Sequence, residues 1–200
     1  MPQLGDRSLD ISSVQAKESA IRLLTALVKR SPPDEADRLV DAIVDSCGQA
    51  GSGPGRRIIM NRDEIRSLHE AGMMIGAHTV HHYNLTCLGT EEVDLELRES
   101  RADLETIISA PVRHLAYPDG RTGRHFDGRV AAVAREVGFS SAVTSIAGPA
   151  SGEYPLFGIP RLGVVPSHGR EGRLAFDMQS TRLIRPRDPV FADVRARTDV

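Results

Sequence analysis

Met73-Met74-Ile75-Gly76-Ala77-His78-Thr79-Val80-His81-His82 decides how the rest of the chain is read, because a short apolar run ends there in three of the seven histidines. Residues 73–77 read as a short buried strand whose carboxyl end delivers His78, the usual place for a site in an α/β fold. Imidazoles pack poorly as a group, whereas a neutral imidazole is a first-choice ligand for a borderline divalent metal. Spaced i and i+4, His78 and His82 would share one face of a helical turn begun by Thr79, leaving His81 to point elsewhere. The alternative is a solvated loop that is merely rich in histidine, since a catalytic zinc takes three protein ligands and a structural one four.

Working outward, Asn61 can cap a helix with Glu64 completing a capping box, and Gly72 ends it. Gly51 to Gly55, with three glycines, a serine and a proline, reads as a flexible connection. Two helices precede it. One spans 12–29 with Ile21, Leu23, Leu24, Leu27 and Val28 as its apolar positions. The other spans 33–47, opened by Pro32-Pro33, with Leu39, Val40, Ile43 and Val44. Both read as packing elements. Downstream, a helix over 90–109 carries Val93, Leu97, Leu104, Ile107 and Ile108, and its many Glu and Arg residues read as a solvated face. A strand at 112–117 runs into Pro118-Asp119-Gly120, a turn that can present N–H groups to a ligand. A helix at 126–137 closed by Gly138 follows, then strands at 139–144 and 159–165. Alternating strands and helices imply right-handed crossovers and a parallel sheet.

Three segments in order carry a resemblance. They are the run from Met60 through Gly72 into His78 and His82, then Leu115-Ala116-Tyr117-Pro118-Asp119-Gly120, then Gly158-Ile159-Pro160-Arg161-Leu162-Gly163-Val164. The order resembles the polysaccharide deacetylases, the NodB-homology carbohydrate esterases, over residues 58–165. The resemblance implies that His78 and His82, as the H-[ST]-x-x-H motif, are two ligands of a divalent metal, most often zinc. It implies that Tyr117, Pro118, Asp119 and Gly120 shape a substrate groove, with Asp119 a candidate third ligand. It implies His168 as the general acid, although Pro166-Ser167 precedes it in place of the family's L-x-H. The remaining histidines, His69, His81, His114 and His125, then read as surface or supporting groups. The implied fold is α/β, an incomplete, distorted (β/α) barrel preceded by two helices. The family's T-F-D-D-G motif, source of the general base and a further metal ligand, has no counterpart, because no Asp-Asp pair occurs in the 200 residues. The resemblance therefore implies that at least the first strand is missing from this sequence, through an upstream start or through loss.

Composition adds bounds. Forty per cent hydrophobic residues over this length can bury one core, and the formal net charge of -2 gives no general attraction to nucleic acid or anionic membrane. Cys47 and Cys87 make no disulfide framework, and Cys87 reads as a buried or half-buried thiol rather than a soft ligand. No apolar stretch reaches the ~18 residues of a membrane span and polar sequence follows Met1, so the chain as written reads as cytoplasmic, an inference that depends on the start site. The expected organisation is a helical segment at 1–57, a deacetylase-like α/β region at 58–184 and a disordered tail at 185–200.

Two functional classes follow. The first is a metal-dependent hydrolase that removes N-acetyl groups from amino-sugar polysaccharides or oligosaccharides. The second is a catalytically inactive relative that binds a glycan or a protein partner through the same groove.

Overall fold

A computed structural model describes residues 8–47, 59–150 and 154–162. It divides into two compact units, Met1–Arg56 and Arg57–Val200. His168, the 163–165 end of the last expected strand and the tail at 185–200 lie outside the described residues.

In the first unit, α1 (Val14–Val28) and α2 (Pro33–Cys47) form a helix pair. Ser13 starts α1 by accepting from the Ala16 N–H. The expected apolar stripes are only thinly covered. Ala20 and Ala36 are buried, but Ile21, Leu23, Val40 and Val44 are exposed.

In the second unit, α3 (Arg62–Glu70) begins with the Asn61–Glu64 capping box, and the left-handed Gly72 (φ +88) stops it. A single 3-10 turn, Leu85–Cys87, leads to α4 (Thr90–Ile108). Then come β1 (His114–Ala116), α5 (Gly128–Val137), β2 (Ser141–Ala147) and β3 (Ile159–Arg161). Helix α5 starts later than expected because Asp127 is its cap, accepting from the Val130 N–H. Phe126 goes instead into the core. The strands form an open parallel sheet in the order β1-β2-β3, with Leu115 opposite Ala142. Pro160 fits on β3, at the end of that order, where an absent N–H costs least.

Helices α4 and α5 pack together, and with the sheet they enclose a core of Leu85, Val93, Leu97, Val112, Leu115, Tyr117, Val130 and Phe139. Arg101 ties this layer together. Its Nη1 donates to the Val137 carbonyl that ends α5, and its Nε donates to Glu105, whose carboxylate also accepts the Val112 N–H ahead of β1.

The run at 73–77 departs from the expected buried strand. It meets β1 through one parallel bridge only, with Ala77 N donating to His114 O at 2.8 Å and Ala116 N donating to Ala77 O at 2.9 Å. Met73 and Met74 are 60% and 77% exposed. A strand one bridge long gains little from pairing, and among the described residues no strand lies on its far side. The sheet is therefore not a closed barrel but an open part of one.

Candidate active site

The bridge between Ala77 and β1 places the two central motifs side by side. Immediately after it, the His78 Nδ1 lies 2.6 Å from the carbonyl oxygen of Ala116. A carbonyl can only accept, so Nδ1 carries a proton, and in the neutral ring it is Nε2 that keeps the lone pair. A second hydrogen bond of this kind is the usual way a metal-binding imidazole is oriented. The His82 ring meets the His78 ring edge-on, with centroids 4.9 Å apart.

The two rings converge without a helical turn. Residues 78–84 form an irregular loop, and Thr79 (φ 65) and His82 (φ 60) are both left-handed. That conformation is uncommon for any residue with a side chain and unfavourable for β-branched threonine. Contacts across the loop hold it. Thr79 Oγ1 accepts the His82 N–H at 3.1 Å. From α4, Glu96 Oε2 accepts the N–H groups of Val80 and His81 at 2.9 and 3.0 Å, and Oε1 accepts from His81 Nδ1 at 2.5 Å. His81 does turn away from its neighbours, stacking on Tyr83 with centroids 5.2 Å apart.

Glu96 corrects the reading of α4 as a helix whose acids are all solvated, since it is 7% exposed. The signal was present in the spacing. Val93, Glu96, Leu97 and Ser100 lie at i, i+3, i+4 and i+7, all four buried, so the glutamate falls inside the apolar stripe.

The second motif supplies shape. The Tyr117 ring is fully buried and stacks on Phe126 at 3.9 Å, and its hydroxyl donates to the Phe157 carbonyl at 3.1 Å. Burial pushes this hydroxyl above the usual tyrosine range, so it stays a phenol. Its role is to fix the backbone that leads into the following turn. Pro118 is also fully buried, whereas Asp119 is partly exposed. Asp119 (φ 54) and Gly120 (φ 55) form a left-handed turn stapled to β2, where Ser145 Oγ donates to Asp119 O and Ser145 N donates to Gly120 O. A Cβ on Gly120 would lie 2.6 Å from Ser145 N, so only glycine fits.

The other candidates scatter. His114 Nδ1 lies 2.8 Å from Ser141 Oγ, and His125 Nδ1 accepts from the Arg121 N–H. His69 sits on α3 with its Nδ1 buried and no hydrogen-bond partner. Cys87 is exposed rather than buried. Among the described residues, no third His, Cys, Asp or Glu joins His78 and His82 in a set able to hold a metal. Two histidines fall short of the three protein ligands that a catalytic zinc takes.

Residues 54–142, which contain both motifs, match the family model described as polysaccharide deacetylase. This stretch is similar to the polysaccharide deacetylase family. Across 116 residues the chain is 22% identical to the Bacillus subtilis (strain 168) protein that carries the name polysaccharide deacetylase YxkH, covering 58% of this chain and 40% of that one. The Streptococcus pyogenes deacetylase PplD, solved in complex with acetate, shares the fold with a TM-score of 0.53 and 22% identity, over 64% of this chain and 53% of its own. IcaB from Ammonifex degensii is similar at a TM-score of 0.46 and 20% identity, over 58% of this chain and 54% of its own. The chain thus spans about half or less of each relative's length. The open parallel sheet is an incomplete form of the deacetylase fold, and no described helix is long and apolar enough to cross a membrane.

Proposed function

We propose that this chain contributes the histidine half of a metal-dependent deacetylase site that removes N-acetyl groups from amino-sugar glycans. The observation that carries the proposal is the edge-on pairing of His78 and His82 with His78 Nδ1 committed to the Ala116 carbonyl, inside the stretch that matches the family. The donor set suits zinc, with His78 Nε2 and the His82 imidazole as two ligands. Bound there, a divalent ion would supply Lewis-acid polarisation of an acetamide carbonyl.

The left-handed turn at Asp119–Gly120 is held to β2 by Ser145, and its Gly120 N–H is spent on the Pro118 carbonyl, so the turn would shape a substrate groove rather than offer that N–H to an oxyanion. Tyr117 and Pro118 keep that turn rigid from below. Asp119, expected as a third ligand, does not join the two rings in a metal-holding set among the described residues, and His168 is the candidate acid for the leaving amine.

The test is zinc binding to the purified chain and to single variants. In excess Zn²⁺, one equivalent should bind to the wild type and to His81→Ala, and none to His78→Ala or His82→Ala. Equal loss in His81→Ala would mean that the wrong pair has been chosen.

Because the 200 residues hold no Asp-Asp pair to serve as base and ligand, a second reading stands beside the first, a non-catalytic glycan-binding relative. Retained binding of acetylated chitooligosaccharide with no turnover at saturating zinc would select it.

A further inference from the structure

Glu96 lies on α4, apart from both sequence motifs, yet three hydrogen bonds run from its carboxylate into the histidine loop. A carboxylate as buried as this one is tolerated only when donors surround it. Here the donors are the N–H groups of Val80 and His81 and the Nδ1–H of His81. Those two amides sit between the left-handed residues Thr79 and His82. The rings that converge belong to exposed side chains at either end of this short loop, with no packed core around them.

We infer that Glu96 is the positioning residue of the site: by clasping the Val80 and His81 amides it imposes the loop geometry that brings His78 and His82 together. The inference rests on the metal reading only for the purpose the two rings serve. His81 is accordingly an arm of the clasp: its ring lies on Tyr83 and, among the described residues, joins His78 and His82 in no set able to hold a metal. The oxygen that takes both amides needs no charge, so shape should matter more than the carboxylate's ionisation.

The experiment compares Glu96→Gln, Glu96→Asp and His81→Phe with the wild type, each checked by thermal melt. In the metal-free proteins, NMR reads the nuclear Overhauser contact between the His78 and His82 rings and the hydrogen exchange of the Val80 and His81 amides. Competition with a chromophoric chelator then reads affinity for Zn²⁺ alone. Glutamine keeps one oxygen for the two amides, so the ring contact and slow exchange should persist, with zinc affinity within about threefold of wild type. Aspartate keeps the charge but is one methylene short. It should lose the ring contact, exchange at least about tenfold faster at both amides and bind zinc about 10- to 100-fold more weakly, as lost outer partners do.

An aspartate variant indistinguishable from wild type in ring contact and exchange would overturn the inference, as would a glutamine variant as impaired as aspartate. Should Glu96→Asp not fold, Glu96→Gln and His81→Phe decide, because both keep the amide clasp. Loss of the ring contact in either overturns the role of Glu96, and its retention in both supports it. If the wild type shows the ring contact and the expected exchange pattern but binds no zinc, the metal reading fails while the positioning role stands.

Discussion

His78 donates its Nδ1–H to the carbonyl of Ala116 across 2.6 Å, 38 residues along the chain. That bond joins the histidine motif to the strand that carries the second motif, and it selects one tautomer. In nitrogen-detected NMR of the metal-free protein, His78 should appear as the Nδ1–H form. Adding Zn²⁺ should move the His78 Nε2 and His82 ring signals and leave the His81 ring nearly still. A His78 ring protonated at Nε2 instead would contradict this geometry.

The 200-residue chain by itself should be a poor enzyme. Two imidazoles without a carboxylate hold an ion weakly, and absence of a positioned general base removes roughly 10²–10⁴-fold of rate. Assay of acetylated chitooligosaccharide with added zinc should show turnover at or near background. Brisk turnover that vanishes in His78→Ala would overturn the expectation and make Asp119→Asn the next variant to measure.

Gly120 should tolerate no side chain. Its φ of +55 and the 2.6 Å approach to Ser145 N mean that Gly120→Ala both strains the backbone and collides with β2. A loss of about 2 kcal/mol or more in urea unfolding is expected. An unchanged midpoint would show that the turn is not held as described.

Glu105 should make stability depend on pH in acid. The Val112 N–H, aided by Arg101, holds its carboxyl below the ordinary glutamate value of 4.5 against the opposing effect of burial. A lowered value in the folded state favours the ionised form, so the contribution is complete above the unfolded value and fades as pH falls through the native one. Glu105→Gln should cost about 1 kcal/mol at neutral pH, discounted for partial exposure, and the difference from wild type should shrink as pH falls below the ordinary glutamate value. A difference that does not vary with pH would refute the assignment.

The sheet edge at 73–77 should associate. Met73 and Met74 are exposed beside a segment bridged to β1 at one residue only, and exposed apolar edges pair with other chains. A sizing column should show self-association that rises with protein concentration and falls by about half or more in Met74→Lys. A monodisperse wild-type monomer with a cooperative melt would remove this prediction.

Features set by neighbouring residues are legible in the chain alone. The Asn61–Glu64 capping box, the stop at Gly72, the closure of α5 at Gly138 and the order of helices and strands all depend on contacts a few residues apart, which spacing reveals. The pairing of His78 with His82 was legible for a different reason, the motif itself, and the helical turn expected to produce it is absent. Tertiary structure alone decided how that loop is held. Glu96 reaches it from 15 and 16 residues away, Ala116 from 38, and Tyr117 disappears beneath a backbone carbonyl 40 residues on. Left-handed backbone at β-branched Thr79 has no local preference behind it. It exists because these distant partners supply hydrogen bonds that outweigh its strain. The exposure of 73–77 follows the same logic, since a strand is stable only with partners, and partnership is a property of the folded chain.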